Sequence, residues 1–508
     1  MKRIALVFFI LLNSSFSSAQ KMQLPAFITD SLNSYITQGM HNWGIPGLSI
    51  AIVKDGKVIF IKGYGTTKLE SKQPVNEQTL FMIGSNTKAF TATALSILQA
   101  SGAVSLNDKV QKWMPGFRLR DSLATNEINI VDLLSHRLGF ESYQGDFTYW
   151  SSSLTRQQVI QKMSLIEPAY SFRSGYGYCN AAYVTAGELI PSITGKSWEQ
   201  TVRESILTPL KMDRTLMLAR EFENAENAAS PHTMVDYKLT SIPIANIDNL
   251  APAGSMSSNA EDMAKWLLVQ LADGEKEGKQ LISAEALQAT RIASSIVFTD
   301  TRDNQETHFY LYGLGLFMSD RNGKIVYSHL GGIDGFLSTV MFVPEDKLGV
   351  VVLTNTDQNK FSQNLANEVV NAFFGLPYKG YSNKSLVQFK KGNIISKSRI
   401  DSLRKVINLN YSPDIPLETF TGTYENEVYG QIEITVENRK LNIYFSNHPD
   451  LVGRLEHIRN NNFLCTYSNP IMGIVEVPFT INSGKVTELV LRVSDFVEST
   501  PYVFKKQN

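Results

Sequence analysis

Strand-rich tracts at the two ends of a long helical middle constrain this chain most. Residues 47–53 and 57–63 are β-rich runs separated by Lys54-Asp55-Gly56, a hairpin signal. From residue 86 to 103 the sequence becomes Ala/Leu-rich, with Phe90, Ala94, Leu95 and Leu98 at helical spacing and Gly102 as a stop. Strands return at 324–328, 336–342 and 348–354, the last two joined by Pro344-Glu345-Asp346-Lys347. Strands that open and close a region around helices build one antiparallel sheet from both ends, with a helical region to one side. The expected class is therefore α+β, an antiparallel sheet flanked by helices with an all-α subdomain.

After Gly375 the character changes. Residues 380–397 are polar and rich in Lys, Ser and Asn, and 398–408 has the pattern of a short linker helix. Beyond Leu417, short alternating runs recur with turn signals at 431–436, 440–445, 462–467, 475–481 and 485–493, which reads as a separate small sandwich or barrel. At the other end, Lys2 and Arg3 precede an apolar run over 4–12, and Ser17-Ser18-Ala19 offers a small-residue cleavage site. Nine apolar residues are too few to span a bilayer as a helix. The expected division is signal peptide 1–19, main domain 20–379, linker 380–415 and barrel 416–508. Helical spacing in the first mature segment runs to about Gln38, with Gly39 as its stop.

Several function classes drop out on charge and composition. The 508 residues carry 48 Lys+Arg against 48 Asp+Glu, so no basic footprint marks a nucleic-acid or acidic-membrane partner. Cys179 and Cys465 are too few for a disulfide scaffold or a Cys-rich metal site, and no His-Glu-x-x-His spacing occurs. No metal or cofactor is expected.

Three clusters carry the chemistry. Ser85-Asn86-Thr87-Lys88 opens the Ala-rich helix, and a three-residue gap puts Ser85 and Lys88 on one face. A serine needs an adjacent base to become a nucleophile, and a desolvated lysine can be one. Alone, Ser85 reads as a helix N-cap. The second cluster, Tyr178-Cys179-Asn180, offers a phenol that a nearby cation would hold partly ionised and an amide able to orient the lysine. The third, His329-Leu330-Gly331-Gly332, closes a strand; its paired glycines permit close approach to the backbone, and the Gly332 N–H suits an oxyanion. His136 reads as satisfying carbonyls at a helix end, and Cys179 as a small buried side chain.

Taken in order, the clusters resemble the serine β-lactamase and penicillin-binding-protein superfamily, in its class C-like branch with Tyr-x-Asn. Ile45-Pro46-Gly47, the segment 133–139 and Ala253-Gly254-Ser255-Met256-Ser257 with Asp262 fit the same pattern. The similarity covers roughly 24–375. The tail, with Phe420-Thr421-Gly422-Thr423-Tyr424, is similar to the lipocalin-like barrel appended to many such hydrolases. The resemblance implies a β-lactamase/transpeptidase-like fold, with Ser85 as acylated nucleophile and Lys88 with Tyr178 as base system. Asn180 would position lysine and substrate, and the Ser85 and Gly332 N–H groups would hold the oxyanion, with Gly331 beside them in the substrate site.

One departure bears on substrate. Class C β-lactamases carry Lys-Thr-Gly where this chain has His329-Leu330-Gly331, so the cation suited to a β-lactam carboxylate is missing. His329 is expected to hydrogen-bond Tyr178 or the substrate terminus. The reading is an exported, periplasmic or secreted, serine hydrolase of amide or ester bonds in D-amino-acid-containing peptides or related small substrates. Alternatives are a short-chain esterase, a weak β-lactamase, a transferase, or a non-catalytic penicillin-binding-like sensor. Pocket walls are expected from the segments 140–154 and 294–306.

Overall fold

The computed structural model describes residues 23–302 and 306–507; the signal-peptide reading falls outside them. Eight antiparallel strands form the main sheet, in the order Lys57–Gly65, Gly47–Lys54, Leu348–Thr354, Phe336–Val343, Lys324–Ile333, Phe317–Arg321, Phe309–Tyr312 and Ser295–Thr299. N-terminal strands thus pair directly with a late one, Ile50 opposite Val352. The first hairpin turns at Asp55 and Gly56, both with positive φ (49° and 75°), as a two-residue turn between twisted strands requires.

Strand alternation sends side chains to two cores. Ile50, Ile52, Val350 and Val352 face a cluster built with the helices Leu32–Trp43 and Phe361–Phe373. Ala51, Val53, Val351 and Leu353 face the larger cluster made with the helical middle, including Thr87–Ala100, Asn180–Thr194 and Ala260–Leu271. The central strand Leu348–Thr354 is buried along its whole length, as a strand covered on both faces must be.

Several boundaries move for tertiary reasons. The first helix does not stop at Gly39 but at Gly44, which takes the left-handed conformation (φ 68°). Gly39 instead marks close helix packing, because a Cβ there would sit 2.1 Å from the Phe361 ring. The strand expected to end at Ser328 continues to Ile333, so His329 to Gly332 lie within a strand. The polar stretch after Gly380 is no loose linker: a single 27-residue helix, Tyr381–Ile407, runs through it. Trp43 donates its indole N–H to Ser382 Oγ (2.9 Å) and fixes the start of that helix to the first one.

The C-terminal region is a closed barrel of eight antiparallel strands, each paired with its sequence neighbours and the last, Tyr502–Lys506, with the first, Gly422–Asn426. The long strand His448–Arg459 and the first and last strands were not legible in the alternation. Tyr424, Phe463, Tyr467 and Phe504 fill the interior. Cys179 and Cys465 are both free and buried. Among the described residues no helix is long and apolar enough to cross a membrane, and no cluster of three or more His, Cys, Asp or Glu is placed to hold a metal.

Candidate active site

The chain from Gly84 to Asn86 makes one tight turn before the helix Thr87–Ala100 begins. The turn is pressed against the His329 strand. A Cβ on Gly331 would meet the Ile83 carbonyl at 1.9 Å, and one on Gly84 (φ 52°) would meet the Gly332 nitrogen at 2.9 Å. Gly331 therefore lets two backbones touch; it is not in the cavity lining, contrary to the expectation of a substrate contact, whereas Gly332 is. Ser338 ties the same junction, donating to Ile83 O (2.7 Å) and accepting from Asn86 Nδ2 (2.7 Å).

Lys88 lies one turn on and is fully buried. Its ammonium nitrogen donates to Asn180 Oδ1 (2.7 Å) and Ala253 O (2.8 Å), and reaches Ser85 Oγ at 3.2 Å. It also lies 4.6 Å from the centre of the Tyr178 ring. Burial, partly opposed by the nearby Asp146 carboxyl, lowers its pKa from 10.5 to about 7. Of the three tetrahedral positions on Nζ other than that of its carbon, two face pure acceptors, which demand N–H groups. The remaining position faces Ser85 Oγ, where a neutral amine presents a lone pair.

Tyr178 departs from expectation. Its phenol lies beside Ser85, but burial raises its pKa well above the ordinary value and the neighbouring tyrosines add to this, so it is a neutral phenol. A cation acting through the ring face does not hold it ionised. Its backbone is pinned on both sides: Tyr178 N–H donates to Ser142 Oγ (3.1 Å), and Tyr143 N–H donates to Tyr178 O (2.7 Å). His136 packs on the ring at 4.4 Å and accepts the Cys179 N–H at Nδ1 (3.0 Å). It thus satisfies a backbone donor, not the helix-end carbonyls expected of it.

Asn180 begins the helix Asn180–Thr194. Its Nδ2 donates to Asp146 Oδ2 (2.6 Å), which leaves Oδ1 for Lys88. His329 makes no hydrogen bond to Tyr178, because both its ring nitrogens are taken by other partners. Its Nδ1 faces the Leu330 carbonyl (2.7 Å), which can only accept, so Nδ1 carries the hydrogen and Nε2 accepts from the Tyr312 hydroxyl (3.2 Å). Burial, then the charge of Lys88, pushes its pKa down to about 3, so the ring is neutral at working pH.

Ser85, Tyr178, Asn180, His329 and Gly332 share a cavity of about 530 Å³. Ser142, Tyr143, Asp146 and Trp150 form one wall, Val297, Tyr310 and Phe317 another, so both expected wall segments contribute. Asp495 and Phe496, from the barrel region, close a third side. Among the described residues, no Lys or Arg side chain lines the cavity. Asp146, Tyr312, Asp495 and Phe496 were not legible in the sequence. Only the position of Asp146 within the expected wall 140–154 pointed toward one of them.

The family model described as Beta-lactamase matches residues 32–372. The chain belongs to the β-lactamase family. Residues 409–506 match a second model, described as a domain of unknown function, DUF3471. A hydrolase of unguisins from Aspergillus campestris is 27% identical over 435 residues, covering 82% of this chain and 79% of that protein. Among solved structures, the octameric penicillin-binding protein homologue from Pyrococcus abyssi superposes with a TM-score of 0.59 at 22% identity, over 94% of this chain and 99% of that one. A D-stereospecific amidohydrolase from a Streptomyces species gives 0.53 at 23% identity, over 67% of this chain and 97% of that one. These likenesses place the chain in a β-lactamase-like hydrolase fold with an additional barrel.

Proposed function

We propose that this β-lactamase family member is an exported serine hydrolase that opens amide or ester bonds through an acyl-Ser85 intermediate. Its substrates are D-amino-acid-containing peptides or related small molecules. The observation that carries the reading is the buried Lys88 nitrogen, held by Asn180 and Ala253 so that its remaining position falls on Ser85 Oγ. In the first step the neutral amine takes the Ser85 proton as Oγ bonds to the substrate carbonyl carbon. The Ser85 and Gly332 N–H groups hold the resulting oxyanion. Collapse breaks the bond to the leaving amine or alcohol, which takes a proton from the neutral Tyr178 phenol or from the Lys88 ammonium. Water then attacks the acyl ester and regenerates Ser85.

A lining without Lys or Arg among the described residues, and a His329 that stays neutral, argue for substrates not anchored through a free carboxylate beside that strand. This favours peptidase or esterase over efficient β-lactamase action. The similarity to an unguisin hydrolase and to a D-stereospecific amidohydrolase supports the same reading. The apolar run after Lys2 and Arg3 supports export.

Purified protein is assayed on a D-alanyl anilide, a short-chain aryl ester and a chromogenic cephalosporin, with Ser85→Ala as blank. Cleavage of the anilide that is lost in Ser85→Ala supports the proposal. Ester cleavage alone assigns a short-chain esterase, and an active Ser85→Ala refutes the acyl-serine mechanism.

A further inference from the structure

The segment that presents Asp146 to the site is gripped on both sides of that residue by the barrel. Gly145 N–H and Phe147 N–H, one on each side of Asp146, donate to the two carboxylate oxygens of Glu498 (2.9 Å each). Glu498 follows the barrel strand Lys485–Leu491, is fully buried, and accepts a third bond from the Tyr502 hydroxyl (2.8 Å). Phe147, also fully buried, packs between barrel aromatics, 4.8 Å from Tyr429 and 5.5 Å from Tyr502. Further along, Ser153 N–H donates to Asn447 O (2.8 Å) and the His448 Nε2 bonds Trp150 O (2.9 Å).

A buried carboxylate is costly unless its lone pairs are filled, and here two are filled by the backbone of another domain. From Asp146 the connection is direct: to the Asn180 amide, to the Lys88 nitrogen, to Ser85. We infer that Glu498 is a positioning residue of the hydrolase site: the barrel, through Glu498, sets the place of Asp146, which fixes the Asn180 amide and thereby aims Lys88 at Ser85. The barrel is on this account a structural part of the catalytic apparatus, not only a neighbour of its entrance. The inference rests on the Ser85–Lys88 reading.

The test is a double-mutant cycle on the full-length protein, read as kcat and KM for whichever substrate the wild type turns over. Glu498→Gln keeps the shape but turns an amide donor toward one of the two backbone N–H groups. It is expected to lower kcat by about 10- to 100-fold, the scale of a sub-ångström to 1 Å misplacement of a reacting group, with KM changed less than about threefold. Asp146→Asn is expected to do the same. Because both act through one connection, the double variant is expected to be no worse than the weaker single variant, whereas unconnected losses multiply. Arg120→Ala removes an exposed ion pair to the barrel's Glu427 (3.1 Å) and is expected to keep wild-type kcat. Wild-type kcat in folded Glu498→Gln, multiplying losses, or equal impairment of Arg120→Ala would each overturn the inference. If Glu498→Gln does not fold, Tyr502→Phe carries the test: it removes one of the donors, and a smaller kcat loss supports the role while wild-type kcat opposes it. Ser85→Ala separates the two levels. Activity there sinks the acyl-serine reading; an inactive Ser85→Ala beside a fully active Glu498→Gln sinks the role of Glu498 alone.

Discussion

The pH dependence of turnover should report Lys88 directly. Free lysine titrates at 10.5, and complete burial brings this one to about 7. That difference corresponds to roughly 5 kcal/mol between the charged and neutral forms, at about 1.4 kcal/mol per unit. The mechanism uses the neutral amine, so kcat/KM is expected to rise tenfold per pH unit below about 7 and level off above it. By the same titration, about a tenth of the enzyme is competent at pH 6 and about nine tenths at pH 8. His329, held near 3, and Tyr178, held well above its ordinary range, do not titrate inside this window. Initial rates with the ester and the anilide between pH 5 and 9 give the profile. Lys88→Arg is always charged and should be inactive throughout. Stability follows with a defined sign: between about 7 and 10.5 the unfolded state binds the proton that the folded state has lost, so unfolding free energy rises with pH there. Denaturation of wild type and Lys88→Met at pH 7 and 9 should show the rise only in the wild type. A flat profile, or a midpoint near 10, would refute the claim that burial makes this lysine the base.

Other consequences follow from single contacts. Gly331→Ala places a methyl 1.9 Å from Ile83 O and must push the Ser85 turn off the His329 strand; kcat should fall about 100-fold or more, measured with the same ester. Asp132, fully buried, accepts from Arg137 (2.7 Å) and Arg173 (2.6 Å) while capping its own helix. Its partners are partly exposed, so Asp132→Asn should cost about 2–3 kcal/mol in urea denaturation, below the full figure for a buried pair. Burial lowers His329 to about 3 and His448 to about 4 from 6.5. The unfolded state therefore binds more protons below pH 6.5, and stability should drop by about 2 kcal/mol per histidine between pH 7.5 and 5. Because Asp334 and Glu498, raised by burial to about 7, act in the opposite sense over this range, the check is the difference between wild type and His448→Gln in denaturation at the two pH values, the variant losing its histidine's share of the drop. His329→Ala should stay folded with reduced turnover; near-normal kinetics would remove the histidine from the site's working parts.

Local rules reach a definite distance into this protein. The Ser85–Lys88 pair was legible because a three-residue gap across a helix start fixes two side chains on one face whatever surrounds them. The Asp55-Gly56 turn was legible because only a few residue types tolerate its dihedral angles. Strand tracts at both ends of the main domain and alternation in the barrel announced an α+β sheet and a β-rich tail, since burial on a pleated surface has period two. Of the polar helix Tyr381–Ile407 only the part from 398 on was legible, because the anchor of its start to the first helix is a contact with Trp43 far away in sequence. The role of Gly39 was not legible, since its reason for being small is the ring of Phe361.

At the site the division is the same. Sequence alone brought Ser85, Lys88, Tyr178, Asn180, His329 and Gly332 forward as a group; in the structure all but Lys88 line one cavity, and Lys88 lies buried behind Ser85 and Asn180. Which of them is neutral was decided only by tertiary burial, because desolvation depends on how many atoms from other segments surround a charge. That reverses the protonation expected of Tyr178 and gives the low pKa to Lys88 instead. The tautomer of His329 depends on Tyr312 and the Leu330 carbonyl, and the aim of Asn180 on Asp146. The grip of Glu498 on the backbone around Asp146 joins two domains. A motif records what one stretch of backbone can hold in register; a contact between distant segments has no spacing to leave in the sequence, and only the folded packing creates it.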